Sequence, residues 1–383
     1  MILIYLDYAA TTPMSQKAID VYSSTAQNMF ANSASLHDLG EQSSRLLSSC
    51  RSILAGLIKG RAEGIYFTGG GSEANVLAIG SLLNASDSRK KHIISSRLEH
   101  ASILSYLKKL EYEGYMVTYL NPEADGRIAI STIREALTEE TVLATIQHAN
   151  SELGVIQDIK EIGRVLKENG VLFHSDCVQT YCKIPIDMRN WNVDAISFSS
   201  HKVYGPKGTG AVYISPGVYW KPLLPDTTHE SGFRAGTVDL PAIAAFTQAS
   251  VDTCSEMEEQ LKKAQKLREY LIQEVQEEKL PLILLNAEDP SFQLPYIFAL
   301  MLEGYEGQYV LLHCNSRHLA ISTGTACQAG MLDPSKAITA IGISADRALQ
   351  YFRVSIGKQT SKEDLQHLLT ALKNIDEKEL QHD

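Results

Sequence analysis

Short β-branched runs alternate with amphipathic stretches through the middle of the chain, and this alternation limits the folds that the chain can adopt. The runs have the length of strands, whereas the stretches between them repeat apolar residues every three or four positions, as helices do. Alternation of this kind predicts a mainly parallel sheet covered by helices. The predicted strands are 91–96, 115–120, 141–148, 171–174, 195–199 and 210–214, and the predicted helices between them are 101–113, 130–137 and 158–168.

A long amphipathic helix is predicted between residues 255 and 279. Apolar residues from Met257 to Val275 recur every three or four positions with charged residues between them, and Pro281 ends the pattern. We expect this helix to lead into a second, smaller α+β domain. The predicted large domain is 15–258, and the predicted small domain combines 1–14 with 259–383.

The charge balance argues against a nucleic acid partner, and the apolar stretches argue against a membrane span. Asp and Glu number 45 against 35 Lys and Arg, a net charge of −10, and binding to a phosphate backbone needs a basic surface. The most apolar stretch, 294–302, is too short to span a membrane. The apolar start, 1–6, is followed at once by Asp7, so it predicts a short strand rather than a signal peptide. We expect a cytoplasmic protein.

The six cysteines are scattered along the chain and no pair has CxxC spacing. In a large chain without a secretion signal, this favours reduced thiols and no metal site. Cys50, Cys177 and Cys182 are predicted to be buried thiols without a redox role.

A glycine-rich turn lies between a short predicted strand and a predicted helix, in the sequence Phe67-Thr-Gly-Gly-Gly-Ser-Glu-Ala74. Glycines let a backbone approach an anion, and the start of a helix offers free N–H groups. Gly71 and Ser72 are therefore candidates for a phosphate cradle. The same turn satisfies the looser G-x-G-x-x-A pattern of dinucleotide sites, and a tight turn without a ligand is equally open.

Two predicted strands end in polar side chains. Asp176 ends the first, and His201 and Lys202 follow the second. Ligands of open α/β sheets bind beyond the carboxyl ends of the strands, and a lysine there can form a Schiff base. A helix cap or loop ion pair remains open for Asp176, and a surface position for Lys202.

Three further side chains have chemical potential. Cys327 lies in a loop of small residues, where a thiol can reach a substrate. Arg353 alternates with apolar residues on a predicted strand and can bind a carboxylate or form a structural ion pair. His100, at the start of a predicted helix, can stack on a planar ring or cap that helix.

The order of these motifs resembles that of the cysteine desulfurases of the NifS/IscS kind, in the class V family of pyridoxal-phosphate-dependent aminotransferases. The resemblance runs from residues 5–13 to 352–357 and is strongest in Ser197-Phe-Ser-Ser-His-Lys-Val-Tyr-Gly-Pro-Lys-Gly208. It implies a type I pyridoxal-phosphate transferase fold: a large α/β domain with a mainly parallel, seven-stranded sheet, a small α+β domain, and a homodimer.

The resemblance also implies a role for each matching residue. Lys202 holds pyridoxal 5'-phosphate as a Schiff base and later moves the Cα proton, Asp176 pairs with the pyridinium nitrogen, and Gln179 contacts the ring hydroxyl. His100 stacks on the ring. The phosphate contacts are Gly71, Ser72, Ser199, His201 and, from the other subunit, Thr237. The matching substrate-carboxylate binders are Asn32 and Arg353.

The implied reaction converts L-cysteine to L-alanine and leaves a persulfide on Cys327. His100 is a candidate for the group that takes the thiol proton. The sulfur then passes to an acceptor protein, for which an iron–sulfur scaffold, a thiolation enzyme and a dedicated client such as quinolinate synthase are open. The sequence around Cys327 resembles the branch with a long cysteine loop.

Among several departures from the family pattern, one concerns predicted substrate binders. Relatives have His-x-Asn-Asn-Glu where this chain has His148-Ala-Asn-Ser-Glu152, so Ser151 replaces the second asparagine. Asn150 takes the place of that asparagine only if the turn shifts.

Three other functions remain as alternatives to a cysteine desulfurase. Another class V enzyme, a selenocysteine lyase or an aminotransferase, would share the cofactor. A NAD-dependent oxidoreductase would leave Lys202, Asp176 and Cys327 without a role, and an inactive binding protein would not need them together.

Overall fold

A computed structural model describes residues 3–87, 89–323 and 334–379 of the chain. The strands are β1 Ile4–Tyr5, β2 Ile65–Thr68, β3 His92–Ser96, β4 Met116–Leu120, β5 Thr141–Thr145, β6 Leu172–Asp176, β7 Ala195–Ser199, β8 Gly210–Ile214, β9 Leu282–Leu285, β10 Ile297–Leu302, β11 Leu319–Ala320 and β12 Tyr351–Ser355. The helices are α1 Gln16–Asn28, α2 Asp38–Leu57, α3 Gly71–Ala85, α4 Ala101–Tyr112, α5 Ile130–Ala136, α6 Ile159–Glu168, α7 Leu240–Ser255, α8 Met257–Glu277, α9 Gly307–Asn315, α10 Lys336–Ala340, α11 Ala345–Ala348 and α12 Lys362–Glu379.

A seven-stranded sheet forms the large part of the molecule, in the order β2-β8-β7-β6-β5-β3-β4. The pairings from β7 to β4 are all parallel, and β8 is antiparallel to both of its neighbours. The predicted mainly parallel sheet is therefore confirmed. Because the parallel strands point the same way, the polar ends of β6 and β7 meet at one edge of the sheet.

The burial of the strands explains why they read as apolar runs. Every residue of β3, β5, β7 and β8 is buried, as expected for strands covered on both faces. Helix α6 shows the complementary pattern of a half-buried helix. The side chain of Asp158 caps its N-terminus, and one stripe of the helix is buried against the core: Ile159, Ile162, Val165 and Leu166. Burial of such a stripe stabilises the fold by about 25 cal/mol per Å² of apolar surface.

A second core lies under a three-stranded sheet in the order β12-β10-β9. Strand β1 pairs with β11, and Asp7 bridges to Ser355, the last residue of β12, so the start of the chain packs against its C-terminal part. The predicted long helix is α8, which follows α7 with Glu256 between them. The domain bounds at 15 and 258 remain predictions.

One expectation about the cysteines is wrong. Cys182 and Cys254 are joined in a disulfide, with their Cα atoms 4.8 Å apart, so these two are not reduced thiols. Scattered positions in sequence hid the pair, because the turn after β6 packs against α7 and brings them together. Cys50 and Cys177 are buried free thiols, as predicted. Cys314 is also a buried free thiol.

Of the helices that the structure describes, none is long and apolar enough to cross a membrane.

Candidate active site

A cleft of about 510 Å³ opens where the carboxyl ends of β6 and β7 meet the start of α3, the start of α4 and the C-terminal part of the chain. The structure brings most of the predicted site residues into its walls. These are Gly71, Ser72, His100, Asn150, Ser151, Asp176, Gln179, Ser199, His201, Lys202 and Arg353. Residues scattered over most of the sequence therefore share one cavity.

Lys202 lies in a single helical turn directly after β7, and this turn aims it into the cleft. Its Nζ donates to the carbonyl oxygens of Ala9 at 2.5 Å and Ala10 at 2.7 Å. The alternative that Lys202 is an ordinary surface lysine is therefore excluded. A half-buried amine among carbonyl acceptors is suited to bonding a carbonyl carbon once it is unprotonated.

Asp176 is the last residue of β6 and is buried. Asn75 Nδ2 donates to its Oδ2 at 2.8 Å and the Val178 backbone N–H to its Oδ1 at 2.9 Å. Two donors hold this buried carboxylate in one orientation, as a hydrogen-bond partner for a ring nitrogen requires. Asn75 was not among the predicted site residues, although an amide between Ala74 and Val76 near the start of α3 was an available signal.

The start of α3 has the shape of an anion cradle. Gly70 has a φ of +141°, and Gly71 begins the helix, so free N–H groups face the cleft. A Cβ on Gly71 would lie 2.8 Å from Val178 Cγ2 and 3.3 Å from Ser199 Cβ, which would fill the space. The buried Ser199 Oγ has no hydrogen-bond partner within the described residues. A phosphate group fits this donor set.

His201 closes the same end of the cleft. Its Nδ1 lies 3.1 Å from Thr11 Oγ1. Burial, reinforced by the charges of Lys202 and Lys207, lowers the pKa of this imidazole to about 4. The ring is therefore neutral near pH 7 and can hydrogen-bond a phosphate oxygen without adding a charge.

Gln179 lies between the N-terminal segment and a second lysine. Its Nε2 donates to the Ala9 carbonyl at 3.0 Å, and its Oε1 accepts from Lys183 Nζ at 3.4 Å. Because an ammonium can only donate, Lys183 fixes the amide with its oxygen toward the lysine. Lys183 was not among the predicted site residues.

His100 has the capping role that the sequence left open, and stacking on a ring stays a prediction. It caps α4, because the Ser102 backbone N–H donates to its Nδ1 at 3.1 Å, and it lines the cleft. A backbone N–H can only donate, so the neutral ring carries its proton on Nε2.

Glu99, the residue before His100, accepts from Ser96 Oγ at 2.6 Å and from the Gln147 N–H at 3.0 Å. Burial raises the pKa of Glu99 to about 8.

Arg353 is buried in the middle of β12 and reaches the cleft. Its Nη2 donates to Asp7 Oδ1 at 2.7 Å and its Nη1 to the Ser151 carbonyl at 3.0 Å. Its Nε is buried without a hydrogen-bond partner within the described residues. The predicted ion pair and the predicted carboxylate binder are thus compatible, since one donor remains for an anion.

The amide of Asn150 is committed to its own turn. Its Nδ2 donates to the Leu98 carbonyl at 2.9 Å, and its Oδ1 accepts from the N–H groups of Glu152 and Leu153. Asn150 therefore does not take the place of the second asparagine of the family motif. Ser151 stands at that position of the motif and lines the cleft.

Three predicted site residues are not in the described walls of the cleft. Asn32 is exposed, and its Oδ1 accepts from the Ala34 N–H at 2.9 Å, so the single chain does not bring it to the site. Thr237 is also exposed, as a residue predicted to serve the other subunit must be. Cys327 lies outside the described residues.

The chain on both sides of Cys327 is anchored at the cleft. Ser322 exchanges backbone hydrogen bonds with Arg353, at 2.6 and 3.0 Å. Ser335 donates to Glu152 Oε2 at 2.5 Å and lines the cleft.

Comparison with known proteins gives a consistent set of relatives. Residues 4–368 match the family model described as aminotransferase class-V. A candidate cysteine desulfurase, NifS, of Bacillus subtilis (strain 168) is 46% identical over 367 residues, which cover 96% of this chain and 93% of the relative. The cysteine desulfurase IscS of Dictyoglomus turgidum is 35% identical, with 98% of this chain and 95% of the relative covered. A solved structure of SspA in complex with cysteine is 32% identical with a TM-score of 0.81, covering 92% of this chain and 98% of that one.

Proposed function

The chain belongs to the class V aminotransferase family, and on this premise we propose that it is a cysteine desulfurase. It converts L-cysteine to L-alanine and keeps the sulfur as a persulfide on Cys327. The family and the desulfurase relatives depend on pyridoxal 5'-phosphate. The observation that carries the proposal is that Lys202 and Arg353 line one cleft, so that one wall offers an amine and another a guanidinium.

The residues present fit this cofactor from end to end. The start of α3, with Ser72, Ser199 and His201, would hold the phosphate. Asp176 would pair with the ring nitrogen and Gln179 with the ring hydroxyl, while His100 would cover the ring. When bound, the cofactor supplies an electron sink for charge that develops at the substrate Cα.

Lys202 has two tasks in this cleft. Its Nζ would hold the cofactor covalently, and as a free amine it would accept the proton of the substrate Cα. The carbonyl oxygens of Ala9 and Ala10 orient the amine in the described structure. Asp176, held in place by Asn75 and by the Val178 N–H, would act on the ring nitrogen of the cofactor.

Arg353 binds the substrate carboxylate. Its buried, unpartnered Nε is a donor that an anion in the cleft can use. This contact fixes the substrate by one end, so that the thiol end is presented to the segment that carries Cys327. The thiolate of Cys327 then attacks the substrate sulfur: an S–S bond forms, the C–S bond breaks, and a proton is added at Cβ. Cysteine minus one sulfur atom is alanine, so no external oxidant is needed.

We further propose a homodimer with Thr237 at the partner's phosphate cradle. Phe30 is 71% exposed and Leu36 about fully exposed, on either side of Asn32, and exposed apolar side chains of this kind mark interfaces. Assembly at this surface would also give Asn32 a place at a site. The sulfur would pass to a cytoplasmic acceptor protein that serves iron–sulfur assembly or thiolation, or to one dedicated client.

The test is peptide mass spectrometry after anaerobic incubation of the cofactor-loaded protein with L-cysteine. We expect one extra sulfur on the Cys327 peptide and alanine in the supernatant. Cys327→Ser should keep the cofactor and lose alanine formation, whereas Cys314→Ala is the matched control and should keep both. An unmodified Cys327 peptide from protein with bound cofactor would contradict the desulfurase and point to another class V reaction.

A further inference from the structure

A cavity of about 30 Å³ lies behind Lys202, on the side away from the cleft. Lys202 lines both spaces, so its side chain separates them. The walls of the small cavity include Lys183 and the phenol rings of Tyr8, Tyr204 and Tyr296. Lys183 and Lys202 therefore face one small space, together with Lys358.

Lys183 has little to neutralise it. Its Nζ contacts the Gln179 amide oxygen at 3.4 Å, and no carboxylate lines the small cavity within the part of the chain that the structure describes. Burial, together with the positive charges of Lys202 and Arg353, lowers the pKa of Lys183 to about 7. A proton on either amine therefore opposes a proton on the other.

The other titratable groups around the cavity do not supply a negative charge. Burial raises the pKa of Tyr8, Tyr204 and Tyr296, so their phenols stay neutral in the working range. Lys358 is the remaining cation of the cavity wall, and its Nζ is paired with Glu256 Oε2 at 2.9 Å. Arg353 acts from the cleft side and is paired with Asp7.

We infer that Lys183 is a positioning residue for Lys202. The two amines hold one proton between them, Lys183 takes it, and its positive charge across the small cavity keeps the Lys202 nitrogen unprotonated when that nitrogen bonds to the cofactor. A neighbouring like charge disfavours protonation, and a lysine beside another cation is a more effective nucleophile near neutral pH. The inference rests on the proposed function, because it assigns Lys183 a task in cofactor bonding at Lys202.

The test is a pH titration of the visible absorption band of the cofactor-loaded protein, which follows protonation of the nitrogen of Lys202. Lys183→Met should move the midpoint upward by about one pH unit or more, because one positive charge has gone. Lys183→Gln keeps a hydrogen-bond donor for Gln179 without the charge and should move the midpoint as far. Lys183→Arg keeps the charge and should restore the original midpoint. Lys167→Met, at an exposed lysine bonded to Asn192, is the matched control.

An unchanged midpoint in both Lys183→Met and Lys183→Gln would overturn the inference. A shift in Lys183→Met alone would overturn it too, since the hydrogen bond to Gln179 would then be what matters. If Lys183→Met does not fold, the comparison of Lys183→Gln with Lys183→Arg decides alone. Absence of a visible band in the unchanged, reconstituted protein would contradict the proposed function itself, which distinguishes the two failures.

Discussion

The Arg353 guanidinium and the Asp7 carboxylate form an ion pair, with Nη2 and Oδ1 2.7 Å apart, at the wall of the cleft. The pair joins the N-terminal segment to β12, and Arg353 is 4% exposed. A buried guanidinium with one partner carboxylate keeps its charge within the fold and still has the Nε donor for a second anion. This arrangement holds Arg353, the proposed carboxylate binder, in place without a substrate.

Substitution Arg353→Lys should weaken substrate binding more than chemistry. A lysine ammonium is a point charge and cannot keep Asp7, the Ser151 carbonyl and a substrate carboxylate together. We expect the KM for L-cysteine to rise about tenfold or more, with cofactor content unchanged; a tenfold change corresponds to about 1.4 kcal/mol. Steady-state kinetics with alanine detection measures this, and an unchanged KM would remove Arg353 from substrate binding.

Substitution at His100 should separate helix capping from contact with the cofactor. Asparagine is a good cap, so His100→Asn should keep the stability of the protein close to that of the original chain while weakening cofactor binding. His100→Ala loses the cap as well and should cost about 1 kcal/mol of unfolding free energy. Urea unfolding of the cofactor-free protein and a cofactor titration give both values. Equal cofactor affinity in all three proteins would contradict a stacking role.

Glu99 should make the protein less stable as the pH rises. Its pKa is about 8 in the folded state, against an ordinary value near 4.5, so the folded state binds the extra proton between these values. The stabilisation is complete below about pH 4.5 and is lost as the pH rises toward 8, by up to about 1.4 kcal/mol per pH unit. Glu99→Gln should therefore gain stability relative to the original chain from pH 6 to pH 8 in urea unfolding. A difference that does not change with pH would contradict this.

Reduction should destabilise the large sheet region through the Cys182–Cys254 disulfide. The bridge spans a sequence separation of 72 residues, and native disulfides of such loops stabilise by about 2–4 kcal/mol. We expect dithiothreitol to lower the Tm of the original chain and to leave a Cys182→Ser, Cys254→Ser double variant unchanged. Thiol titration in denaturant checks the premise: the unreduced chain should show two fewer thiols than the reduced one.

The sequence predicted the parts of the fold and site that follow from local pattern. The strands 195–199 and 210–214 agree residue for residue with β7 and β8, because both buried stretches are followed directly by a polar residue. The polar strand ends at Asp176 and Lys202 led directly to the cleft, because parallel strands place their carboxyl ends at one edge. Family resemblance, rather than local pattern, assigned their chemical roles.

The local sequence pattern did not predict contacts between distant segments of the chain. The tie between Lys202 and the Ala9 and Ala10 carbonyls uses backbone atoms, which any residue offers, so no side chain marked it. Lys183 and Asn75 look like an ordinary surface lysine and a helix polar residue until the fold buries them. The Cys182–Cys254 pair required knowledge of how α7 packs on the turn after β6.

Strand β1 finds its partner, β11, only near the other end of the chain, and the carbonyl groups that hold Lys202 follow directly after it. During synthesis on the ribosome, the seven strands of the large sheet emerge well before β11 and β12 do. A nascent chain can thus complete that sheet while the first ten residues still lack a docking place. An unfinished chain would bury a large core and yet hold its lysine without orientation, so order at the site is acquired last.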